Sequence, residues 1–497
     1  PPCSRPAALM GGGAASAFND IWGWWRADAY TSTSPTIALT DLSGNSRTMT
    51  QQAGTLTPGT AANGQPRITG NASAYLTSGA TLSSWPVTII TYGQRTDGTS
   101  QGHFGHVGAS GFNSLWCGYE SLNRFCVLNT NSTLNTVATT DGCFVARIGH
   151  GSRHSIVNGV SQPDNQLANL VKSSAIATSI GTQYRGLNFS WQETLVWDRL
   201  LSIAELDEVY TYLNDRYGAS VPLSTSRTAI PLVVMLGDSN AAGRGDRGAS
   251  NANISEEYLG PIANANIWYG GTTNLGMGTA WETLDNTAVK SLWTGNHMFM
   301  DNYTRPTNYV GCESALSKEY IDLHGGNLYL LKCAQGGSYL YPTGGFWHPT
   351  AGGLWQLNSS RLFGQVSMNW WRAMAAMNAA GQTPDLKGVV IMLGGNDASD
   401  VTGTAAADFA ASLPIFYAAL RAELGIPDAK ILQCRWHIGS VEPYTATIRA
   451  ATDAVVAATS NCVLVDMDSY PLRGGGDTGH YSVGGQESIG QYLATQL

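Results

Sequence analysis

Near residue 200 the hydrophobic pattern of the chain changes, and the two patterns cannot belong to one sheet architecture. From Ile21 to Trp197 the apolar residues come in short runs broken by Gly, Asn, Ser and Thr clusters: Tyr75-Leu76, Val87–Thr91, Leu115–Tyr119, Phe125–Leu128, Phe144–Ile148, Ser155–Val157 and Thr194–Trp197. Short strands with frequent turn signals predict an all-β sandwich or jelly roll. From Ile230 onward, strand-like segments at 230–236, 327–333, 388–393, 430–437 and 462–466 alternate with helical patterns near 313–323, 361–380, 404–424, 442–458 and 483–495. That alternation predicts a three-layer α/β domain whose five-stranded parallel sheet is covered on both faces.

The boundary between the patterns carries its own signals. Ser202 is placed to cap a helix running to Tyr217, Glu205 completes a capping box, and Gly218 stops it. Another predicted helix, Ala405 to Leu424, ends at Gly425 with Pro427 just beyond. The chain of 497 residues is too long for one ordinary core. It is expected to divide into an extension at 1–20, an all-β domain at 21–218, a linker at 219–228 and an α/β domain at 229–497. Residues 246–306 form an Asn/Gly/Trp-rich insertion, expected to be a substrate-side loop.

Charged residues make up 12% of the chain and its net charge is -8. With no basic stripe to neutralise phosphates, nucleic acid is not expected as a partner. The apolar runs fall short of the ~20 residues that span a bilayer, so no membrane partner is expected either. A polar, weakly charged surface with 15 Trp and 21 Tyr suits neutral, hydroxyl-rich ligands. Pro1 to Gly13 lack the charged start and apolar core of a secretory signal. Eight cysteines show no CxxC spacing, and no metal or cofactor is expected. Cys333, Cys434 and Cys462 fall in predicted core strands, whereas Cys117, Cys126 and Cys143 are candidates for a disulfide.

Four segments carry chemistry, three directly at the ends of predicted strands and one past the last of them: Gly237-Asp238-Ser239-Asn240, Ala334-Gln335-Gly336-Gly337-Ser338, Gly394-Gly395-Asn396-Asp397 and Asp477-Thr478-Gly479-His480. Ligands of open parallel sheets bind outside such carboxyl ends. A serine hydroxyl is a poor nucleophile without an adjacent base. His480 is the candidate base for Ser239, and Asp477 can orient its imidazole. An oxyanion formed on attack needs preorganised donors; the backbone N–H groups of Ser239 and Gly336 and the side-chain amide of Asn396 are the candidates. Each block alone is also compatible with a plain turn, and it is their common order and placement that points to a site.

In that order the four blocks resemble the signature of the SGNH (GDSL-type) hydrolases, which implies a flavodoxin-like three-layer fold and a Ser-His-Asp triad. The string Gly237-Asp238-Ser239-Asn240-Ala241-Ala242-Gly243-Arg244-Gly245, with Ala334-Gln335-Gly336-Gly337-Ser338 and the downstream Trp347, resembles the sialate O-acetylesterase-like and acetylxylan-esterase-like branch. Asp238 stands where that branch carries Gln. The resemblance implies removal of O-acetyl groups from carbohydrate through an acyl-enzyme, without metal.

Trp268, Tyr269, Trp281, Tyr339, Tyr341, Trp347, His348 and Trp355 lie in predicted loops, where they either stack on sugar or pack the loops themselves. Trp347 and His348 are taken as candidate substrate contacts. Arg244 either anchors a substrate hydroxyl or carboxylate or pairs with Asp238 or Asp246. His437, ending the fourth predicted strand, reads as a structural histidine.

In the first half, Trp25-Arg26-Ala27-Asp28, Asp41-Leu42-Ser43-Gly44-Asn45, Ser155–Gly159 and Glu193–Arg199 resemble laminin-G-like, concanavalin-type jelly rolls. Such modules bind glycans, pack or oligomerise. Competing functions are a lipase or thioesterase of the same family, which would need an apolar acyl channel, and a glycan-binding or virion structural protein with a vestigial hydrolase domain. Gly11-Gly12-Gly13 and the low charge suit a phage tail or appendage protein, hence an extracellular or virion-associated placement and assembly with further copies or a virion.

Overall fold

The structure is a computed structural model. It describes residues 16–246 apart from 34–35, 72, 83–85, 95–102, 108–115, 121–123, 129–140, 150–152, 162–175 and 181–189, and residues 253–497 apart from 270–279, 286–308, 343–346, 350–361 and 475–476. Gly11–Gly13, Trp355 and much of the 246–306 insertion lie outside the described residues. The chain divides into two compact units, Pro1–Ser226 and Arg227–Leu497.

The first unit holds two eight-stranded sheets. Six of the seven short runs expected as strands fall within strands, and Trp116–Tyr119 of the seventh does too, Leu115 lying outside the described residues; they are joined by others such as Gly23–Arg26 and Thr36–Leu39. Strand Ser190–Trp197 lies between Val87–Gln94 and Pro66–Gly70 and also pairs with Gly23–Arg26, antiparallel throughout. Every residue of it is buried. The reason on one face is helix Ile203–Tyr217, whose Leu206, Val209, Tyr210 and Leu213 pack with Ile90, Tyr92, Val145, Leu195 and Trp197. Ser202 caps that helix with Glu205 in a reciprocal capping box, and Gly218 ends it in the left-handed conformation. Residues 219–226 belong to this unit: Asn214 bonds both the N–H and the carbonyl of Val221, which is buried in the helix–sheet core. Trp22, Trp24, Trp25, Trp191 and Trp197 are all buried, so none offers a sugar platform. Cys143 is a buried free thiol, which removes it from the disulfide expected among Cys117, Cys126 and Cys143; the other two side chains are not described.

The second unit is a sheet of seven strands, in the order Ala280–Asp285, Pro261–Tyr269, Leu328–Ala334, Thr228–Gly237, Gln382–Met392, Ile431–Cys434 and Cys462–Val465. Six are parallel and Ala280–Asp285 is an antiparallel edge. The expectation of five strands is thus corrected. Pro261–Tyr269, inside the insertion expected to be loop, adds alongside Leu328–Ala334 and buries Ile262, Ala265 and Ile267 against the sheet's core.

Alternate residues of the central strand face opposite layers. Leu232, Val234 and Leu236 meet helices Leu362–Ala379 and Thr404–Leu424, while Val233 and Met235 share a core with helices Glu313–His324 and Val483–Gln496. Strand order reverses at Thr228–Gly237, between Leu328–Ala334 and Gln382–Met392. A ligand crevice is expected at the carboxyl end of such a strand.

Candidate active site

The central strand ends where no side chain would fit. A Cβ on Gly237, whose φ is +151°, would stand 2.2 Å from the carbonyl oxygen of Met392. In the sheet register Gly237 is level with Ala334 on one side and Met392 on the other. The Asp238 N–H donates to the Met392 carbonyl at 2.9 Å, and the Gln335 N–H donates to that of Gly237 at 3.0 Å. Three of the four sequence blocks therefore leave the sheet side by side.

Ser239 opens the short helix Ser239–Ala242, with Asp238 as its cap. His480 Nε2 lies 2.9 Å from Ser239 Oγ. His480 Nδ1 lies 2.9 Å from both oxygens of Asp477. The backbone N–H groups of Gly479 and His480 also donate to Asp477 Oδ1, each at 3.2 Å, so the carboxylate is held by its own turn. Arg473 Nη1 approaches Asp477 Oδ2 at 3.3 Å, and the Arg473 N–H donates to the His480 carbonyl at 2.7 Å. Burial lowers the imidazole's pKa below its ordinary value, with the charges of Arg244 and Arg473 acting the same way and Asp477 acting against them. A neutral imidazole bonded to a serine hydroxyl can accept its proton.

Asn240 performs a task that the sequence did not signal. Its Nδ2 donates to the Gly479 carbonyl at 2.9 Å and its Oδ1 accepts from the Tyr481 N–H at 3.4 Å. One buried amide thus grips the backbone on both sides of His480. Its partners are main-chain atoms, which no residue pattern marks.

Gly336 follows Leu328–Ala334 and lies against the serine. A Cβ on it would stand 3.4 Å from Ser239 Cβ and 2.8 Å from Arg244 Nη2, so the missing side chain leaves room for both. Arg244 is thereby placed beside Ser239 and Gly336. Asn396 is in the turn of helix Gly395–Ser399, whose first N–H donates to Asp238 Oδ2 at 3.2 Å.

Other expected contacts fall elsewhere. Trp347 and His348, taken as substrate contacts, are buried. Trp347 donates from Nε1 to Ser338 Oγ at 2.8 Å and meets Phe416 edge-on, which makes it a core residue holding the loop after Gly336. Trp268 is also core, bonded to Asn369. Trp281 packs on Trp268 and Tyr329. Tyr339 and Tyr341 are half-buried and meet edge-on, and the Tyr269 side chain is not described. His437 is satisfied structurally: Nδ1 accepts from the Gly439 N–H at 2.8 Å and Nε2 lies 3.1 Å from the Asp468 carbonyl. Among the described residues, no three His, Cys, Asp or Glu side chains gather as a metal site.

Residues 230–497 match the family model described as carbohydrate esterase, sialic acid-specific acetylesterase. Comparison with curated proteins gives no significant match. Among solved structures, a protein from Arabidopsis thaliana is similar at 20% identity and TM-score 0.40, covering 54% of this chain and 97% of its own. The structure titled NanS is similar at 14% identity and TM-score 0.39, with coverage of 54% and 97%. A carbohydrate acetylesterase from Xanthomonas citri is similar at 11% identity and TM-score 0.38, with coverage of 83% and 71%.

Proposed function

The chain belongs to the carbohydrate esterase family of the sialic acid-specific acetylesterases, and on that premise we propose that it removes O-acetyl groups from a glycan through a Ser239–His480–Asp477 triad. The observation that carries this reading is the unbroken line of contacts from Ser239 Oγ through both nitrogens of His480 to Asp477, each 2.9 Å.

Ser239 Oγ attacks the ester carbonyl carbon while His480 Nε2 takes its proton. Asp477 holds the Nδ1–H and balances the imidazolium. The carbonyl oxygen becomes an oxyanion and accepts from the N–H groups of Ser239 and Gly336 and from the side-chain amide of Asn396. Collapse of the intermediate breaks the bond to the sugar oxygen, which leaves with the proton from His480. Water, deprotonated by His480, then attacks the acetyl-serine, and acetate leaves as Ser239 regains its proton. Arg244, beside Ser239, is placed to contact a sugar hydroxyl or carboxylate. In the first unit, antiparallel pairing of both sheets and the helix that follows the last long strand support a laminin-G-like jelly roll.

The test is hydrolysis of p-nitrophenyl acetate by the intact chain and by Ser239→Ala. The variant is expected to lose roughly six orders of magnitude in kcat. Equal rates, or none in either, would refute the catalytic reading and favour a glycan-binding role. Acetate release from acetylated xylan, O-acetylated sialic acid and acetylated bacterial capsule then ranks the substrates, while long-chain acyl esters test the lipase alternative.

A further inference from the structure

Two carboxyl groups beneath Ser239 have no part in the steps above. Asp238 and Asp397 are 1% and 0% exposed. Asp238 Oδ1 accepts the Asn240 N–H at 3.1 Å and its Oδ2 accepts the Gly395 N–H at 3.2 Å. Asp397 Oδ1 accepts the Leu340 N–H at 3.0 Å. These bonds join three separate loops: the serine turn, the turn of Gly394–Asp397, and the loop after Leu328–Ala334 that runs from Gly336 to Leu340. Each loop supplies one donor to the oxyanion of the proposed reaction.

We propose that Asp238 and Asp397 are positioning residues that brace these three loops into one cradle and so set the spacing of the oxyanion donors. The inference rests on the esterase reading and extends it to residues that touch no reacting atom.

Burial makes carboxyl groups an expensive choice here. It pushes each of them up to about 7, with the charge of Asp238 acting in the same direction on Asp397. If filling space were the only demand, an apolar side chain would meet it without that cost. A carboxylate offers what an apolar group cannot: acceptors of fixed direction for main-chain N–H groups on two elements at once. The bracing bonds lie on either side of Asn396, with Gly395 bonded outward to Asp238 and Asp397 bonded outward to Leu340. Donors of this kind must be fixed before the charge develops, and a displacement near 1 Å can cost about a hundredfold in rate.

The test compares Asp238→Ala, Asp397→Ala, Asp238→Asn and Asp397→Asn in the full chain, with active sites counted by complete labelling of Ser239 with a fluorophosphonate. Both alanine variants are expected to lose about tenfold or more in kcat per labelled site, with KM for p-nitrophenyl acetate within about twofold of wild type, because oxyanion contacts strengthen only in the transition state. Asp397→Asn keeps an acceptor for Leu340 and should lose less than Asp397→Ala. Asp238→Asn keeps only one of two acceptors and should lose more than Asp397→Asn. That comparison decides the matter even where the alanine variants do not fold. Unchanged kcat per site in the alanine variants, a change in KM alone, or equal asparagine variants would overturn the proposal. Hydrogen exchange at the Leu340 and Gly395 amides reads the brace without any turnover: protection is expected in wild type and faster exchange in the alanine variants. If wild type neither turns over nor takes the label, the esterase reading fails and the positioning role falls with it, whereas protected amides beside a working enzyme and indifferent variants would sink the brace alone.

Discussion

His480 is tuned by neighbours of opposite effect. Burial, Arg244 and Arg473 lower its pKa, and Asp477 raises it. Activity needs the neutral imidazole, so kcat/KM should fall only as the pH drops through a value below the ordinary 6.5. Arg473→Met removes one lowering charge and one partner of Asp477. The acid limb of its pH–rate profile should therefore move to higher pH, and a limb that stays or moves down would contradict the assignment. Asn240→Ala frees the backbone on both sides of His480, and a loss of about tenfold in kcat at constant KM is expected in steady-state kinetics. Ser239, Asp477 and His480 were legible in the sequence because the proposed nucleophile, base and orienter draw on few residue types, the serine at a strand end and the Asp–His pair in a loop past the last strand. Trp347 was misread for a physical reason: a tryptophan in a loop looks alike whether its ring faces solvent or, as here, closes over Phe416 and Ser338.

At the scale of elements, local signals held where the local chain decides the outcome. The helix Ile203–Tyr217 follows its capping box and its terminal glycine. Ser202→Ala should cost the first unit about 1 kcal/mol, seen in thermal unfolding as a fall of about 2–4 °C in Tm. The strand Pro261–Tyr269 obeys no such local rule. Its Ala-Asn-Ala-Asn stretch has weak strand propensity, Asn264 takes a positive φ, and its pairing with Ala280–Asp285 shifts register between Pro261 and Asn266. It is a strand because a free sheet edge and buried positions for Ile262, Ala265 and Ile267 await it, a tertiary circumstance invisible from the sequence.

For the molecule as a whole, buried acids tie stability to pH. Asp238 and Asp397 titrate near 7 in the folded second unit, and burial raises Glu313 as well. Between roughly pH 4 and pH 7 the folded state holds protons on Asp238 and Asp397 that the unfolded chain has lost, so their contribution weakens as pH rises through that window and levels above it. Asp397→Asn is neutral at every pH. Its stability relative to wild type should improve between about pH 4 and about pH 7 and level off above that, measured by denaturant unfolding followed through tryptophan fluorescence. A relative stability independent of pH would show that Asp397 does not titrate in this range.

The contact between Ser239 and His480 joins residues 241 positions apart. His480 lies just before the closing helix Val483–Gln496, whose Gly490 packs against the Cys312 carbonyl at the head of Glu313–His324. During synthesis the serine, its turn and most of the sheet strands precede His480 in the chain, so the imidazole joins Ser239 only after the segment around Gly479–Tyr481 has packed against Asn240. A chain cut before residue 477 would carry the proposed nucleophile without its proposed base. The proposed nucleophile and base thus meet only through packing between distant parts of the second unit, so the pairing reports long-range assembly and not local folding of the serine turn.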